Sequence, residues 1–434
     1  MKKLMMMLIM ILLVIGLFAN GQQDNGPLIL GVDKGDHEVM YDMEGNYLGK
    51  ESGVWWWKDI VLKDYPEEVI VRGYSADNST IKIDVDIAGG DPPDVYFDYI
   101  GRTNKYANSK FAVPIDLGDE ADAFIPSYLD LLTKDGTLYG LPETAWSAVM
   151  IVNKPLLEEA GAGYLLPADN DPNRSWTVDA FIKATKMVQK HFGEGYYGYV
   201  LFASTTGGDY WSSFGWLAGH GAKLYENGQI VLDRPEGIRA LKFMKNMQDS
   251  GIAMKGAAGL SYAENLNAIM NNNVVAMGGT PGHALKPTEL ADGSGSVQCV
   301  IMEYPHIEGI DSVPISVGPD AGMIFKTGNK DREARSLALL KYITSEKFQT
   351  YQAVYRDRFA SLKGIPKEGN ESPTWILANE MIAKNGIFDM GTGLEKYAEV
   401  RELYPPVLQA IFSGELSVED AVARFAKEGG EILE

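Results

Sequence analysis

Two hydrophobic periods alternate along this chain. Leu28 to Val32 is an unbroken apolar run of strand length that stops at Asp33-Lys34-Gly35-Asp36. Val54 to Tyr65 has helical spacing, with Trp56 and Ile60 on one face, and Pro66 ends it. Val69 to Val71 reads as a strand. So does Ile81 to Ile87, where Ile81, Ile83, Val85 and Ile87 alternate with Lys82, Asp84 and Asp86. A Gly/Pro/Asp turn (Gly89 to Asp94) leads into the short apolar strand Val95 to Phe97. The stretch from Asp135 to Asn153 predicts a tight turn at Asp135-Gly136, a short strand and a corner at Gly140-Leu141-Pro142. A polar and aromatic tip follows (Glu143, Thr144, Trp146, Ser147), then the apolar strand Ala148 to Val152.

Helices are predicted after Thr177, with Val178, Phe181, Ile182, Thr185 and Val188 on one face, and after Asp233, where Glu236 completes a capping box. Tyr197 to Phe202, Val274 to Met277 and Ala321 to Phe325 read as strands. Asp331 to Arg356 reads as one long amphipathic helix, and the tail from Thr374 is helical, with Ser417 and Asp420 forming a cap. Strands and helices alternate for most of the length, which places the chain in the α/β class. At 434 residues it has length for two to three cores.

Charge and ends narrow the function. The formal net charge is −20, a poor match for phosphate backbones, so nucleic acid is not an expected partner. Met1-Lys2-Lys3, the apolar run Leu4 to Phe18 and the small residues Ala19 and Gly21 have the form of a secretory signal peptide, with cleavage expected near Gly21. That run is shorter than the ~20 residues a spanning helix needs. No Cys stands at the cleavage site for lipid attachment, and Cys299 is alone in the chain. The expectation is an exported, unanchored protein.

Familiar chemistry is missing. Gly193-Glu194-Gly195-Tyr196-Tyr197-Gly198 matches G-x-G-x-x-G, but it follows a helix and precedes a strand, the reverse of a dinucleotide site. There is no Walker A loop, H-E-x-x-H or G-x-S-x-G motif, and the five His are scattered, so neither cofactor nor metal is expected. A carboxylate pair for glycoside hydrolysis remains open, with Asp98 and Glu143 the first pair to measure. The aromatics are the distinctive feature. Trp55, Trp56 and Trp57 are consecutive, so at least one is exposed or at an interface. Trp146, Trp211, Trp216 and Trp375 stand at element ends among Gly, Ser or Asp. Flat rings beside carboxylates suit sugars, whose C–H faces stack while their hydroxyls find acceptors. Asp98, beyond the C-terminal end of its strand, is a candidate hydroxyl acceptor.

Several elements in order resemble the extracellular solute-binding protein family 1 of ABC importers. They are Pro93-Asp94-Val95, Pro114 to Leu117, Tyr139 to Pro142 followed by Asn153-Lys154 and Leu156-Leu157, Ser175-Trp176-Thr177, Ala268 to Met270 with Val275 to Met277 and Pro281, and Ser336 to Tyr342. The resemblance implies a two-lobed periplasmic-binding-protein fold, type II-like, with a ligand cleft between lobes. It implies three hinge crossings, near Glu143 to Met150, Gly318 to Ile324 and Phe359 to Lys363. By matching position, ligand contacts are expected from Asp33, Asp98, Arg102, Trp146, Trp211, Phe214 and Trp216. Glu143, His283 and Trp375 join them as candidates, although Gly282 stands where the family often has a Trp.

The resulting expectation is a periplasmic, monomeric receptor that binds a mono- or oligosaccharide and delivers it to the membrane permease of an ABC importer, without chemistry on the ligand. The expected division is residues 1–21 as signal peptide, 28–145 plus 322–360 as one lobe, and 146–321 plus 361–434 as the other. The alternatives are a secreted carbohydrate-active enzyme using a carboxylate pair, or the same fold holding a polyol or another non-sugar solute. Trp146→Ala is expected to weaken binding at little cost in folding stability.

Overall fold

A computed structural model of the chain describes residues 26–33, 36–49, 51–74, 79–107, 111–168, 174–204, 207–280, 288–289, 296–356, 358–371, 373–394 and 396–434. The run read as a signal peptide and the loop carrying His283 lie outside the described residues. In chain order the strands are β1 (Leu28–Asp33), β2 (Val69–Tyr74), β3 (Val95–Tyr99), β4 (Thr133–Lys134), β5 (Thr137–Leu138), β6 (Gly140–Asn153) and β7 (Tyr225–Glu226). They continue with β8 (Gln229–Ile230), β9 (Ala276–Gly279), β10 (Thr288–Glu289), β11 (Ser296–Val297), β12 (Cys299–Met302), β13 (Ser316–Ile324) and β14 (Phe359–Ala360). Helices fill most of the intervals, so the class is mixed α/β. Among the described residues no helix is long and apolar enough to cross a membrane.

The chain gathers into two compact units. Unit 1 takes the chain up to Glu143, Asp320–Gln349 and Ser361–Lys363; unit 2 takes Thr144–Pro319, Thr350–Ala360 and Gly364–Glu434. Residues 350–360 thus group with unit 2, where the expected division put them in the first lobe.

In unit 1, β1 is parallel to β2 on one side and to β3 on the other, and β13 joins β3 antiparallel through Asp320–Ile324. Parallel strands covered on both faces need near-continuous apolar sequence, which Leu28 to Val32 and Val95 to Phe97 supply. Tyr74, Ile83, Tyr96, Tyr106, Met323 and Phe325 form one buried cluster. Asp94 and Arg332 are a fully buried ion pair, with Nε–Oδ1 and Nη2–Oδ2 both 2.6 Å, and Asp94 Oδ2 also accepts the Ile29 N–H at 2.7 Å. Trp56 and Trp57 are buried while Trp55 stays 38% exposed, which resolves how three consecutive tryptophans are accommodated. The turn between β4 and β5 has positive φ at both Asp135 and Gly136, as a two-residue hairpin turn requires.

One expectation fails here. Ile81 to Ile87 lies in the helix Ser79–Gly89, not in a strand. Ile83 is buried and Ile87 partly buried, four residues apart on one helical face, while Ile81 and Val85 are each 64% exposed. The alternation came from surface isoleucine and valine, and packing of the i, i+4 pair decided the outcome.

In unit 2, β6 pairs antiparallel with β12 along one edge and with β9 along the other, using Val149 to Asn153. All fourteen residues of β6 are buried, in keeping with strands on both sides. Asn153 ends β6 and caps the helix Lys154–Glu159 by accepting the Leu156 N–H at 3.1 Å. Thr177 and Ser417 cap their helices as predicted, accepting from Ala180 and Asp420. Tyr197 to Phe202 makes only single bridges, Tyr197 with Val274 and Tyr199 with Ala253, rather than a strand. The helix Pro235–Asp249 starts at Arg234 with no side-chain cap, so the box expected at Asp233 and Glu236 does not form. The long helix expected from Asp331 divides into Lys330–Ile343 and Glu346–Arg356.

Candidate functional site

Unit 1 offers a charged group at the C-terminal end of its parallel strands. β1 and β3 run in register, Val32 opposite Phe97, so Asp33 and Asp98 stand side by side near the C-terminal ends of these strands. The helix Ile100–Ala107 starts directly after β3, and Arg102 in its first turn reaches back. Asp98 accepts from Arg102 Nε at 2.7 Å, from Arg102 Nη2, from the Tyr96 hydroxyl at 2.5 Å and from the Tyr99 N–H at 2.6 Å. Arg102 Nη2 also stands 3.9 Å from Asp33 Oδ2. Side-chain exposure rises outward, from 0% at Asp98 to 12% at Arg102 and 36% at Asp33.

This arrangement corrects the role expected of Asp98. Its carboxylate is sealed and saturated by four donors, so it orients Arg102 instead of accepting from a ligand. For the same reason it is not available as half of a hydrolytic carboxylate pair. Glu143 is 3% exposed in β6, and its backbone carbonyl accepts the Ser361 N–H at 3.1 Å.

Unit 2 carries an aromatic group of four rings drawn from three elements. Trp146 comes from β6. Tyr210 and Trp211 come from a one-turn π-helix, Gly208–Ser213. Tyr262 opens the helix Tyr262–Met270, whose start is fixed by a capping box between Ser261 and Glu264. Trp146 stands 4.5 Å from Tyr210 and 4.8 Å from Trp211, both tilted by 39°, and Trp211 stands 5.9 Å from Tyr262. Trp146 is 6% exposed and backs the group, while Tyr210, Trp211 and Tyr262 are partly buried. Behind Trp146 lies Gly318 of β13, where an added Cβ would come within 2.0 Å of the indole Cζ2.

Polar contacts hold the π-helix from below. The Trp211 carbonyl accepts the Tyr199 hydroxyl at 3.0 Å, and the Tyr199 and Tyr304 hydroxyls are 3.0 Å apart. Burial pushes the Tyr199, Tyr304 and Tyr262 phenols well above their ordinary range, so all three stay neutral. Asp209 pairs with Arg401, whose guanidinium carbon sits 4.9 Å from the centre of the Tyr210 ring.

The sequence candidates divide. Trp146 and Trp211 come together. Phe214 and Trp216 do not join them: they are 2% and 0% exposed and belong to the core of unit 2. Phe214 packs on Phe388 and Tyr404, and Trp216 on Phe181, Tyr199, Phe243 and Tyr304. Along this segment Phe214 and Trp216 are fully buried where Tyr210 and Trp211 are only partly so. Trp375 is half-buried against Phe359, its Nε1 donating to the Arg358 carbonyl at 3.1 Å. Tyr210 and Tyr262 went unselected, although the S-x-x-E pattern at Ser261 to Glu264 marks the helix start that presents Tyr262. Among the described residues no group of three or more His, Cys, Asp or Glu could hold a metal ion.

Residues 62–380, well over half of the chain, match the family described as bacterial extracellular solute-binding proteins. The chain belongs to that family. Its members bind solutes and are not enzymes. The chain is 29% identical over 157 residues to the arabinooligosaccharide-binding protein of Halalkalibacterium halodurans, a match covering 36% of this chain and 32% of that protein. It is 23% identical over 226 residues to the arabinooligosaccharide-binding protein of Bacillus subtilis, covering 49% of this chain and 48% of that one. The matches therefore span half or less of these relatives. Its fold is that of T. maritima MalE3 bound to maltose, with a TM-score of 0.72 at 20% identity over 93% of this chain and 100% of the other.

Proposed function

We propose that the chain is the carbohydrate receptor of an ABC importer, and that Tyr210, Trp211 and Tyr262, backed by Trp146, form its sugar-stacking surface. The observation that carries this reading is that aromatic group, presented half-buried within a solute-binding family. Apolar C–H faces of a sugar ring stack on aromatic faces, while its hydroxyls find polar partners. Within unit 1 taken by itself, Asp33 and Arg102 offer an acceptor and a donor to hydroxyls, with Asp98 holding Arg102 in place. The relatives make arabino-oligosaccharides the first ligands to try.

The same reading takes the N-terminal run as a signal peptide removed near Gly21. The receptor then works as a monomer in the periplasm and hands its ligand to a transmembrane permease. Mass spectrometry of the exported protein tests the cleavage: a mature chain that still begins at Met1 overturns it.

Ligand class is tested by thermal shift with arabinotriose, maltotriose, polyols and amino acids. A ligand that binds the native state raises Tm by mass action. Arabinotriose or another neutral oligosaccharide is expected to raise it, and Trp211→Ala to abolish most of the shift. If a polyol or amino acid stabilises the protein and no sugar does, the carbohydrate reading fails.

A further inference from the structure

We infer that Asp209 and Arg401 form a positioning pair that sets the ring of Tyr210, and through it the affinity of the stacking surface. The inference rests on the carbohydrate reading above for its consequence, but its geometry stands within unit 2 alone. Asp209 is the second residue of the one-turn π-helix, and Arg401 comes from the distant helix Tyr397–Glu402. Their side chains are 1% and 10% exposed. Arg401 Nε and Nη2 both donate to the carboxylate, the second at 3.2 Å. Asp209 Oδ1 also accepts the N–H of Tyr210 at 2.9 Å. One carboxylate thus fixes the guanidinium and the backbone that carries the ring.

The guanidinium then lies 4.9 Å from the Tyr210 ring centre, within cation–π range, and Trp146 lies 4.5 Å from the same ring. A short π-turn is an uncommon and poorly self-supporting backbone, found mostly at functional positions. Here it is tied down by side chains: Ser213 Oγ donates to the Asp209 carbonyl at 3.0 Å and meets the Tyr404 hydroxyl at 3.0 Å. A buried ion pair is an expensive way to obtain stability alone, since apolar residues of similar volume generally match or exceed it. What the pair adds is a planar, charged surface in a fixed place, which Lys would not supply. Tyr210 therefore has both the guanidinium and the Trp146 indole as fixed neighbours, with its orientation decided before any ligand arrives.

The deciding variant is Asp209→Asn with Arg401→Met, because Arg401→Met alone leaves a buried carboxylate without its cation. The double variant is expected to melt close to wild type. Its near-ultraviolet circular dichroism in the ligand-free state is expected to lose the band arising from coupled Tyr210 and Trp146 rings. Arabinotriose and maltotriose are the probes, and whichever the wild type binds is expected to bind about tenfold more weakly. In a Tyr210→Ala background the same two substitutions are expected to cause no further loss. A purely structural pair predicts the opposite: an unchanged spectrum, or an equal loss of affinity whether or not Tyr210 is present. Either result overturns the inference. If the double variant fails to fold, Arg401→Lys keeps the charge without the planar fork, and the same two readouts decide. If the wild type binds neither of these two sugars, the ligand-free spectrum alone decides whether the pair sets Tyr210, and the carbohydrate reading is decided separately by the thermal-shift screen.

Discussion

Gly318→Ala isolates the placement of Trp146 from its chemistry. A Cβ at position 318 would stand 2.0 Å from Trp146 Cζ2, 2.3 Å from Cε2 and 2.8 Å from Cη2. Carbon atoms pack at about 3.5–4.0 Å, so the indole or its strand must give by about 1.5 Å. The ring has nowhere open to go: it is 6% exposed, with Tyr210 at 4.5 Å and Trp211 at 4.8 Å. Overpacking of this kind costs about 1–3 kcal/mol. At about 2–4 °C per kcal/mol for a unit of this size, Tm is expected to fall by roughly 2–12 °C. The ligand-free near-ultraviolet spectrum is expected to change with it, and affinity for arabinotriose or maltotriose to drop. Trp146→Ala cannot serve instead. Deleting a buried Trp costs about 3–5 kcal/mol, so the expectation that it would leave the fold near its original stability does not survive the burial seen here. Gly430→Ala is the control, since a Cβ there meets nothing within 4 Å. It sits inside the helix Val418–Leu433 and is expected to gain about 0.5–1 kcal/mol. An unchanged spectrum and an unchanged Tm in Gly318→Ala would refute the placement of Trp146 against β13.

Three further perturbations test the scaffold. Asp94→Asn strips the buried Arg332 of its partner and is expected to cost about 3–5 kcal/mol, read as a lower urea midpoint; Asp94→Asn with Arg332→Met should recover most of it, and no recovery would count against the pair as the cause. His220 is buried with Nδ1 2.8 Å from the Trp216 carbonyl, and burial lowers its pKa below the ordinary 6.5. The unfolded chain therefore takes up a proton that the folded one resists. This contribution to stability is intact above about pH 6.5 and is lost as the pH falls through the lowered value, so urea midpoints should decline less steeply towards about pH 5 in His220→Gln; equal slopes would sink the assignment. Ser261→Ala removes the acceptor 3.2 Å from the Ala263 N–H and breaks the capping box. It should cost about 1 kcal/mol and speed amide exchange in the first turn that carries Tyr262; unchanged exchange would mean the cap does not hold that turn.

Where a local rule and the packing agree, the fold is legible in the sequence. Thr177 and Ser417 each stand just ahead of a run with helical spacing, and each caps its helix. Val95 to Phe97 is too apolar for anything but a covered strand, and β3 is buried throughout. The failures are places where two local rules compete. Ile81 to Ile87 satisfies a period of two and also offers Ile83 and Ile87 at helical spacing; the helix wins because Ile83 reaches the cluster of Tyr74, Tyr96 and Phe325. Asp331 to Arg356 keeps its apolar spacing across Thr344-Ser345, where the chain nevertheless breaks into two helices. Thr344 Oγ1 donates back to the Leu340 carbonyl at 3.0 Å, and the Phe348 N–H takes up the Ser345 carbonyl at 3.2 Å, beginning a new turn. Composition marks such a break only weakly, because Thr and Ser serve equally inside helices and at their ends.

The site is legible by residue type and illegible by direction. The segment Asp209 to Leu217 is conspicuous for its aromatics, but a list of rings does not say which turn outward. Small residues at an element end, together with its matching position in the family, point to Trp216 as a contact, yet its Gly neighbour explains its burial instead: a Cβ at Gly215 would meet the Tyr304 ring at 2.2 Å, so the small residue lets the core close. Tyr210 carries no such local signal: the pair that fixes its neighbour, Asp209 with Arg401, spans 192 residues, and nothing local to either announces it. Asp98 shows the same limit from the other side. Its position at the end of β3 is read correctly from the apolar run before it, yet whether its carboxylate faces outward or is consumed depends on Arg102 folding back from the next helix. The sequence does place an Arg four residues on, at Arg102. Read as a clamp on Asp98 instead of a second ligand contact, it would have given Asp98 the positioning role that the bonds to Nε and Nη2 now assign.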